Sequence, residues 1–527
     1  MIELLKSKNI YIIFFLYAFS NLFFLLNPHG VYWDGWCVYN QDDSTLKLLF
    51  KQIQHGVKGD FFLLLSHIGN GLYSFRIFTF VATFIMGIFV YLILKNIKEF
   101  NQQTIFFITL IFLLVPVNSA KISISVIPFI FPVLIFYIAF YILTLYLKKP
   151  FFLSRYLVLS LFFISFSTNS ILVFYFCIFL YIYYHEFGLQ YNKIFNKSRI
   201  IIIKYWDFIL LPFIYFIYKA IYLKPYGLYA GYNNLSILNL FDSIKIIFFN
   251  FDNSFIRVIL TSIYSLSFFS IFVLVILYLI AKKSKLIKTT EEYRIFFFIG
   301  IVLFLLAVFP YAMVGKNAEL DSWNSRFQIL TPLGLSFMIF FGLSYLKQLS
   351  NFNERTFVFL LWFILFAFIG QNISTQYYQL KDYFYSVAIE KNIQNNEKIR
   401  QHTTYIINNS ITDSLFYNRT PIYYEINGLF RQAFGHDSKL GMRYDHYIKG
   451  IKQMSDHKHH KQYNYSSWER ENPLLITISH NYEAQFGQDY YLNMIFYNLY
   501  DHEKFLDMAK QLVHISVEDL PKETNER

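Results

Sequence analysis

Between Ile10 and Ile373 the chain is largely a succession of long apolar runs, and this restricts the available folds more than any other feature. Runs such as Ile105–Val115 and Val126–Leu147 leave no face for water. A helix that crosses the hydrocarbon core needs roughly 20 mostly apolar residues. Inside lipid its backbone must be satisfied within the helix. About eleven segments meet that description: 10–26, 73–94, 103–117, 124–147, 153–168, 170–185, 205–223, 256–281, 295–314, 326–346 and 355–374. They predict an α-helical polytopic membrane protein. Charged residues make up only 15% of the 527 positions, against about a quarter in soluble domains.

Loop charge sets the expected orientation. Lys95, Lys98, Lys148, Lys149, Arg155, Lys204, Arg294 and Lys347 belong to connections on one side, and the opposite connections are sparse in Lys and Arg. The positive-inside rule places the basic side, with the N-terminus, in the cytoplasm. Loops 27–72, 224–255 and 315–325 then face outward. This use of the basic residues accounts for the formal charge of +12 without nucleic acid. The first span follows Lys6 and Lys8, lacks a small-residue cleavage site and is expected to be an uncleaved helix. Cys37 lies in a loop and Cys177 in a span, so no disulfide framework is expected. The 64 Phe and 44 Tyr suit lipid-facing and interfacial positions and are not by themselves sugar platforms.

Residues 1–375 therefore read as the membrane domain. Its outer loop 27–72 carries Leu46, Leu49, Ile53 and Val57 at helical spacing, which predicts an amphipathic helix over 44–58. Residues 376–527 are polar and hold no span. Thr403–Ile407 and Leu474–Ile478 look like strands, and Glu425–Phe434 like a helix ended by Gly435. A small extracytoplasmic α/β domain is expected there. Asp456-His457-Lys458-His459-His460 has a metal-binding composition, but no Cys or HExxH spacing supports it, and no metal site is assigned.

Two outer clusters could carry chemistry. The first is Tyr32-Trp33-Asp34-Gly35-Trp36, followed by Asp42 and Asp43. A carboxylate there can act as general base on a hydroxyl, and Trp33 and Trp36 offer flat faces to a sugar ring. The bland alternative is an interfacial aromatic belt with solvated acids. The second cluster runs from Lys316 through Glu319, Asp321 and Trp323 to Arg326. Lys316 and Arg326 could hold a phosphate, Arg by a bidentate fork. Arg326 opens an apolar segment, where its charge must be paired or must snorkel. His67 and Arg76, near the outer end of the second span, and Lys121, in a tight outer turn, are weaker contacts for a headgroup. No P-loop, Rossmann fingerprint or nucleophile elbow is present.

This layout resembles the GT-C class of membrane glycosyltransferases over residues 1–375. The resemblance rests on Asp34 within Trp33-Asp34-Gly35-Trp36, the amphipathic segment 44–58, and Arg326 with Lys316. It implies a polyprenyl-phosphate-linked sugar as donor and a cell-envelope glycan, lipid or protein as acceptor. It also implies a multi-pass location in a bacterial inner membrane, with the active site facing outward. Asp34 would be the base of an inverting transfer, with Asp42 and Asp43 as the other acids considered. Lys316, Arg326, Arg76 and Lys121 would attend the lipid phosphate, and Trp33, Trp36, His67, Glu319, Asp321 and Trp323 the substrates. No cofactor is required, with a divalent cation left open. The competing readings are an O-antigen-type polymerase or ligase, and a transporter or flippase of lipid-linked saccharide.

Overall fold

The computed structural model describes residues 8–39, 41–68, 72–189, 194–230, 237–265, 292–350, 352–435, 439–445, 473–481 and 486–520. Among them, seven helices are long and apolar enough to cross a membrane: Leu72–Leu94, Ile124–Lys148, Asn169–Phe187, Asp242–Tyr264, Tyr293–Ala312, Pro332–Ser350 and Glu354–Asn395. Lys8–Ser20, Gln102–Leu114 and Phe152–Ser165 are apolar but shorter. Phe195–Lys204 and Trp206–Tyr222 form a pair bent by 69°. The protein is thus a helical membrane protein with a small C-terminal sheet.

Several expected boundaries move. The first span breaks at Asn21, whose side chain bonds back to the Tyr17 carbonyl at 2.9 Å. The connection expected over 224–255 contains the helix Ile237–Phe251, so the apolar helix starts well before residue 256. Residues 266–281 of that expected span, and the histidine tract 456–460, lie outside the described residues. The amphipathic helix of the first loop ends at Ile53, where Gln54 turns left-handed, and a second helix, Val57–Ser66, follows.

Side-chain bonds sort the connections into two ends of the bundle. At one end Lys148 donates to Asn96 at 2.6 Å, Arg155 forks onto Asp207 at 2.7 Å and Lys204 reaches Glu186 at 2.8 Å. At the other, Lys58 donates to the Ser167 carbonyl at 2.9 Å, Gln54 to the Lys224 carbonyl at 3.2 Å and Ala318 to Asn250 at 2.6 Å. The first loop, the turn at 117–123 and the 313–331 connection share this second end.

The C-terminal region grows directly from the last membrane helix. Glu354–Asn395 has 42 residues, about 63 Å at 1.5 Å per residue. That is roughly twice the ~30 Å hydrocarbon thickness. Its far half carries the sheet: Asn392 donates to the Lys510 carbonyl at 3.0 Å, and the Tyr385 and Tyr491 hydroxyls meet at 3.0 Å. The strands are β1 (Thr404–Asn409), β2 (Leu440–Arg443), β3 (Leu474–His480) and β4 (Val513–Asp519), in the order β2-β1-β3-β4. β1 runs parallel to both β2 and β3, and β4 is antiparallel to β3. The helix between β1 and β2, Tyr423–Phe434, ends on left-handed Gly435, as the Gly at that position predicts.

Candidate functional site

The first loop, the 313–331 connection and the C-terminal region converge on Asp34. This residue precedes the short helix Gly35–Val38 and is partly buried. Tyr424, on the helix Tyr423–Phe434, donates its hydroxyl to Asp34 Oδ1. Burial raises the Asp34 pKa; the Tyr424 bond, the Arg326 charge and the Trp323 side chain act against that rise. Around the carboxyl, the rings of Trp33 and Trp323 lie 5.9 Å apart, and Trp33 also packs on Phe416 at 6.2 Å.

Arg326 sits in a 3₁₀ turn, Trp323–Gln328, ahead of the membrane helix that starts at Pro332. It does not open that helix as the sequence implied. Its guanidinium lies 4.0 Å from the Trp323 ring and 4.4 Å from the Phe327 ring, and it donates to the Trp323 carbonyl at 2.7 Å. Stacking of this kind fixes the plane of a guanidinium.

Asp321 is buried nearby. It accepts from the Tyr417 hydroxyl at 2.6 Å, from Thr375 at 3.1 Å and from Gln371 at 3.1 Å. Burial raises its pKa against these three bonds. Asp321 lines a narrow cleft with Lys121, Ser119, Asn372, Gln376 and Gln379. The Lys121 ammonium donates to Asn21 at 2.8 Å, and burial pushes its pKa down to about 8. Gln376 spans the break in the first helix, donating to Asn21 at 3.2 Å and accepting from the Phe24 N–H at 3.1 Å.

The backbone is strained at the same place. Among the described residues, five other than glycine have positive φ: Trp33, Gln54, Asp321, Tyr417 and Asn418. All but Gln54 border the Asp34 and Asp321 neighbourhood. Bulky residues enter the left-handed region at a cost of order 1–3 kcal/mol each, and such strain gathers at functional sites.

Other expected residues lie elsewhere. Asp42 caps the helix Asp43–Ile53, accepting from the Thr45 N–H at 2.9 Å and its hydroxyl at 2.7 Å; bonds from Ser44 and Thr45 hold its carboxyl far below the usual range. Asp43 pairs with His67 at 2.9 Å, both well exposed. Glu319 is exposed and accepts from Ser322 at 2.9 Å. Lys316 is half-buried on the same connection as Arg326. Trp36 is buried with its ring against Gly428, where a Cβ would come within 2.5 Å of Cε3, so it anchors the C-terminal helix. Arg76 is 1% exposed and is committed to three carbonyls: Asn27 at 3.1 Å, Gly30 at 2.5 Å and Ile122. It clamps the first loop onto the 117–123 turn.

A second ionic group stands behind the site. Arg419 forks onto Asp382 at 2.6 and 2.9 Å and reaches Glu425 at 2.5 Å. Burial works against the Arg419 charge, yet the two carboxylates hold its pKa well above the ordinary value. The group ties the long helix to the start of the Tyr423–Phe434 helix and so places Tyr424 over Asp34.

Sequence reading missed Tyr424, the Arg419 group and the polar face of the last membrane helix. That face was legible: Gln371, Asn372, Thr375, Gln376, Gln379 and Asp382 recur at helical spacing. Tyr424 carries no comparable local signal. Among the described residues no group of three or more His, Cys, Asp or Glu is placed to hold a metal ion. Comparison with family models, with curated proteins and with solved structures returns no match for this chain.

Proposed function

We propose that this protein is a membrane glycosyltransferase of the GT-C type, moving a sugar from a polyprenyl-phosphate donor to a cell-envelope acceptor on the outer face of a bacterial inner membrane. The carrying observation is the partly buried Asp34 carboxyl, held by Tyr424 and within the electrostatic influence of the ring-stacked Arg326. The two sets of connections support the orientation: the end opposite Asp34 holds the Lys- and Arg-rich loops, which the positive-inside rule assigns to the cytoplasm. The chain passing between those ends about eleven times is the topology this reading requires.

In the proposed reaction Asp34 takes the proton of an acceptor hydroxyl. The acceptor oxygen bonds to the anomeric carbon while the bond from that carbon to the phosphate oxygen breaks, and configuration inverts. Oδ1 is engaged by Tyr424, so Oδ2 is the oxygen assigned to the acceptor. Arg326 stabilises the departing lipid phosphate, where negative charge develops. Trp33 and Trp323 flank the sugar, and Lys316 is assigned to the phosphate from the same connection. The raised pKa of Asp34 suits a base, because proton transfer is most effective when the pKa lies near the working pH.

A second reading, translocation of a lipid-linked saccharide, is favoured by one observation. The first helix is broken at Asn21, and Lys121 and Gln376 bond to that break. Broken helices with polar groups mark many transporters. Mass spectrometry of surface glycans and lipid-linked intermediates, in cells with wild-type protein and with Asp34→Asn, separates the two. The transferase reading expects donor lipid to accumulate and one sugar to vanish from the glycan while protein level is unchanged. Intact glycan in the Asp34→Asn cells contradicts it. Labelled lipid crossing sealed vesicles without covalent change would establish translocation instead.

A further inference from the structure

The C-terminal sheet has a crevice that the Asp34 reaction does not use. Strand order β2-β1-β3, with all three strands parallel, has the same form as the doubly wound sheets in which successive connections leave β1 to opposite sides. Ligands of such sheets bind outside the carboxyl ends of the strands, where the order reverses. Here that location is a crevice of about 290 Å³. The chain reaches it at the end of β1 (Asn408, Asn409), the end of β2 (Arg443) and near the end of β3 (Ile478).

Its chemistry is mixed in a definite way. The floor is apolar: Ile407, Ile426, Leu429 and Phe430. The rim is polar: Asn408, Asn409, Thr412, Thr420 and the pair Arg443–Asp445. That pair is a planar fork, with Nε to Oδ1 at 2.9 Å and Nη2 to Oδ2 at 2.7 Å, so its charges cancel. Asn409 accepts from the Ile411 N–H at 3.1 Å through Oδ1, while its Nδ2 is shielded from solvent and has no partner among the described residues.

Three ligand classes can be weighed against this set. A lipid chain would cover the floor but leave the polar rim at Asn408, Thr412 and Thr420 unmet. A phosphate or carboxylate would meet Arg443 but also the Asp445 carboxylate beside it. A neutral pyranose has an apolar C–H face for the floor and a ring of hydroxyls, each donor and acceptor, for the amides, the threonines and the Arg–Asp fork. We infer that the crevice at the carboxyl ends of β1, β2 and β3 is a binding site for a neutral glycosyl unit, separate from the Asp34 cluster. Thr420 and Pro421 line the crevice, and the helix that follows them carries Tyr424 to Asp34. A glycan held here would lie one helix away from that carboxylate. The inference does not depend on the transferase reading, since it concerns binding alone.

Saturation-transfer NMR on the full chain in lipid nanodiscs tests it. The probes are the methyl glycosides of glucose, galactose, mannose and N-acetylglucosamine, with uridine monophosphate as the anionic comparison. At least one glycoside should receive saturation at its ring C–H protons. Thr420→Trp and Thr412→Trp, which fill the crevice from two sides, should each lower that signal at least fivefold with the melting temperature kept. The signal should persist when Trp323→Ala and Arg326→Ala remove any sugar held at the Asp34 cluster. No signal from any glycoside, a signal indifferent to the crevice variants, a signal lost with Trp323 and Arg326, or transfer to uridine monophosphate in place of the glycosides would each overturn the assignment. Failure of sugar transfer in an enzymatic assay would leave this result standing.

Discussion

Two groups of charge lie at the same end of the molecule and are built on opposite principles. Around Arg419 the charges are in contact: one guanidinium, two carboxylates and three short bonds. Around Asp34 the opposite charges are held near one another by neutral groups, with Tyr424 on the acid and the Trp323 and Phe327 rings on the base. A saturated group fixes geometry, and breaking it leaves an uncompensated buried charge. In the Asp34 group a tyrosine hydroxyl and aromatic rings do the holding. The strained backbone at Trp33 and Asp321 lies beside the Asp34 group, where strain has a use. Arg76 repeats the lesson, since three carbonyls make it a clamp.

Breaking either group should give different phenotypes. Asp382→Asn or Arg419→Ala should destabilise the protein by about 3–5 kcal/mol, read as a large drop in melting temperature and loss of the Tyr424–Asp34 contact. Asp34→Asn should leave the melting temperature near wild type and lower transfer by about 10²–10⁴-fold, the span that general-base catalysis supplies. If Asp34→Asn melts early and Asp382→Asn does not, the contrast between the groups is wrong.

Smaller effects sharpen it. Arg326→Lys keeps the charge and loses the planar stacking; about 1 kcal/mol is expected from a cation–π contact at a partly exposed site, or roughly fivefold in transfer. Arg326→Ala should cost more than that. Asp34 must be ionised to act, so the rate should fall as pH drops through its raised pKa, above the ordinary carboxylate range; a limb at the ordinary range would remove burial from the account. Lys121 gives the mildest test. Its folded pKa of about 8 lies below the ordinary 10.5, so between those values the unfolded chain binds more protons and stability should rise with pH. Lys121→Met should flatten that rise in a melting series.

Much of this arrangement was legible in the sequence because it is local. Apolar runs announce spans, Trp33-Asp34-Gly35-Trp36 announces itself within five residues, and Gly435 marks a helix end by the φ it must adopt. What stayed hidden depends on contacts between distant positions. Tyr424 meets Asp34 across 390 residues, and an exposed-looking Tyr at a helix start carries no sign of it. Arg76 read as a headgroup contact because a charge near a span end has that default; nothing local says that three carbonyls surround it. The polar face from Gln371 to Asp382 was periodic, but a span expected to stop at residue 374 cuts it in two. The Arg326 position moved for a related reason: the 3₁₀ turn at Trp323–Gln328 is short and is followed at once by the apolar residues Ile329 and Leu330, so in the sequence it merges with the helix behind it.

The central claim is that Asp34 is the base of a sugar transfer. Its most direct test uses purified wild-type protein, Asp34→Asn and Asp34→Glu in nanodiscs with radiolabelled polyprenyl-phosphate sugar and envelope glycan extracted from cells lacking the gene. Label should move to the glycan with wild type, remain on the lipid with Asp34→Asn, and move partly with Asp34→Glu, all three proteins melting alike. Label moving equally well with a folded Asp34→Asn protein would contradict the account.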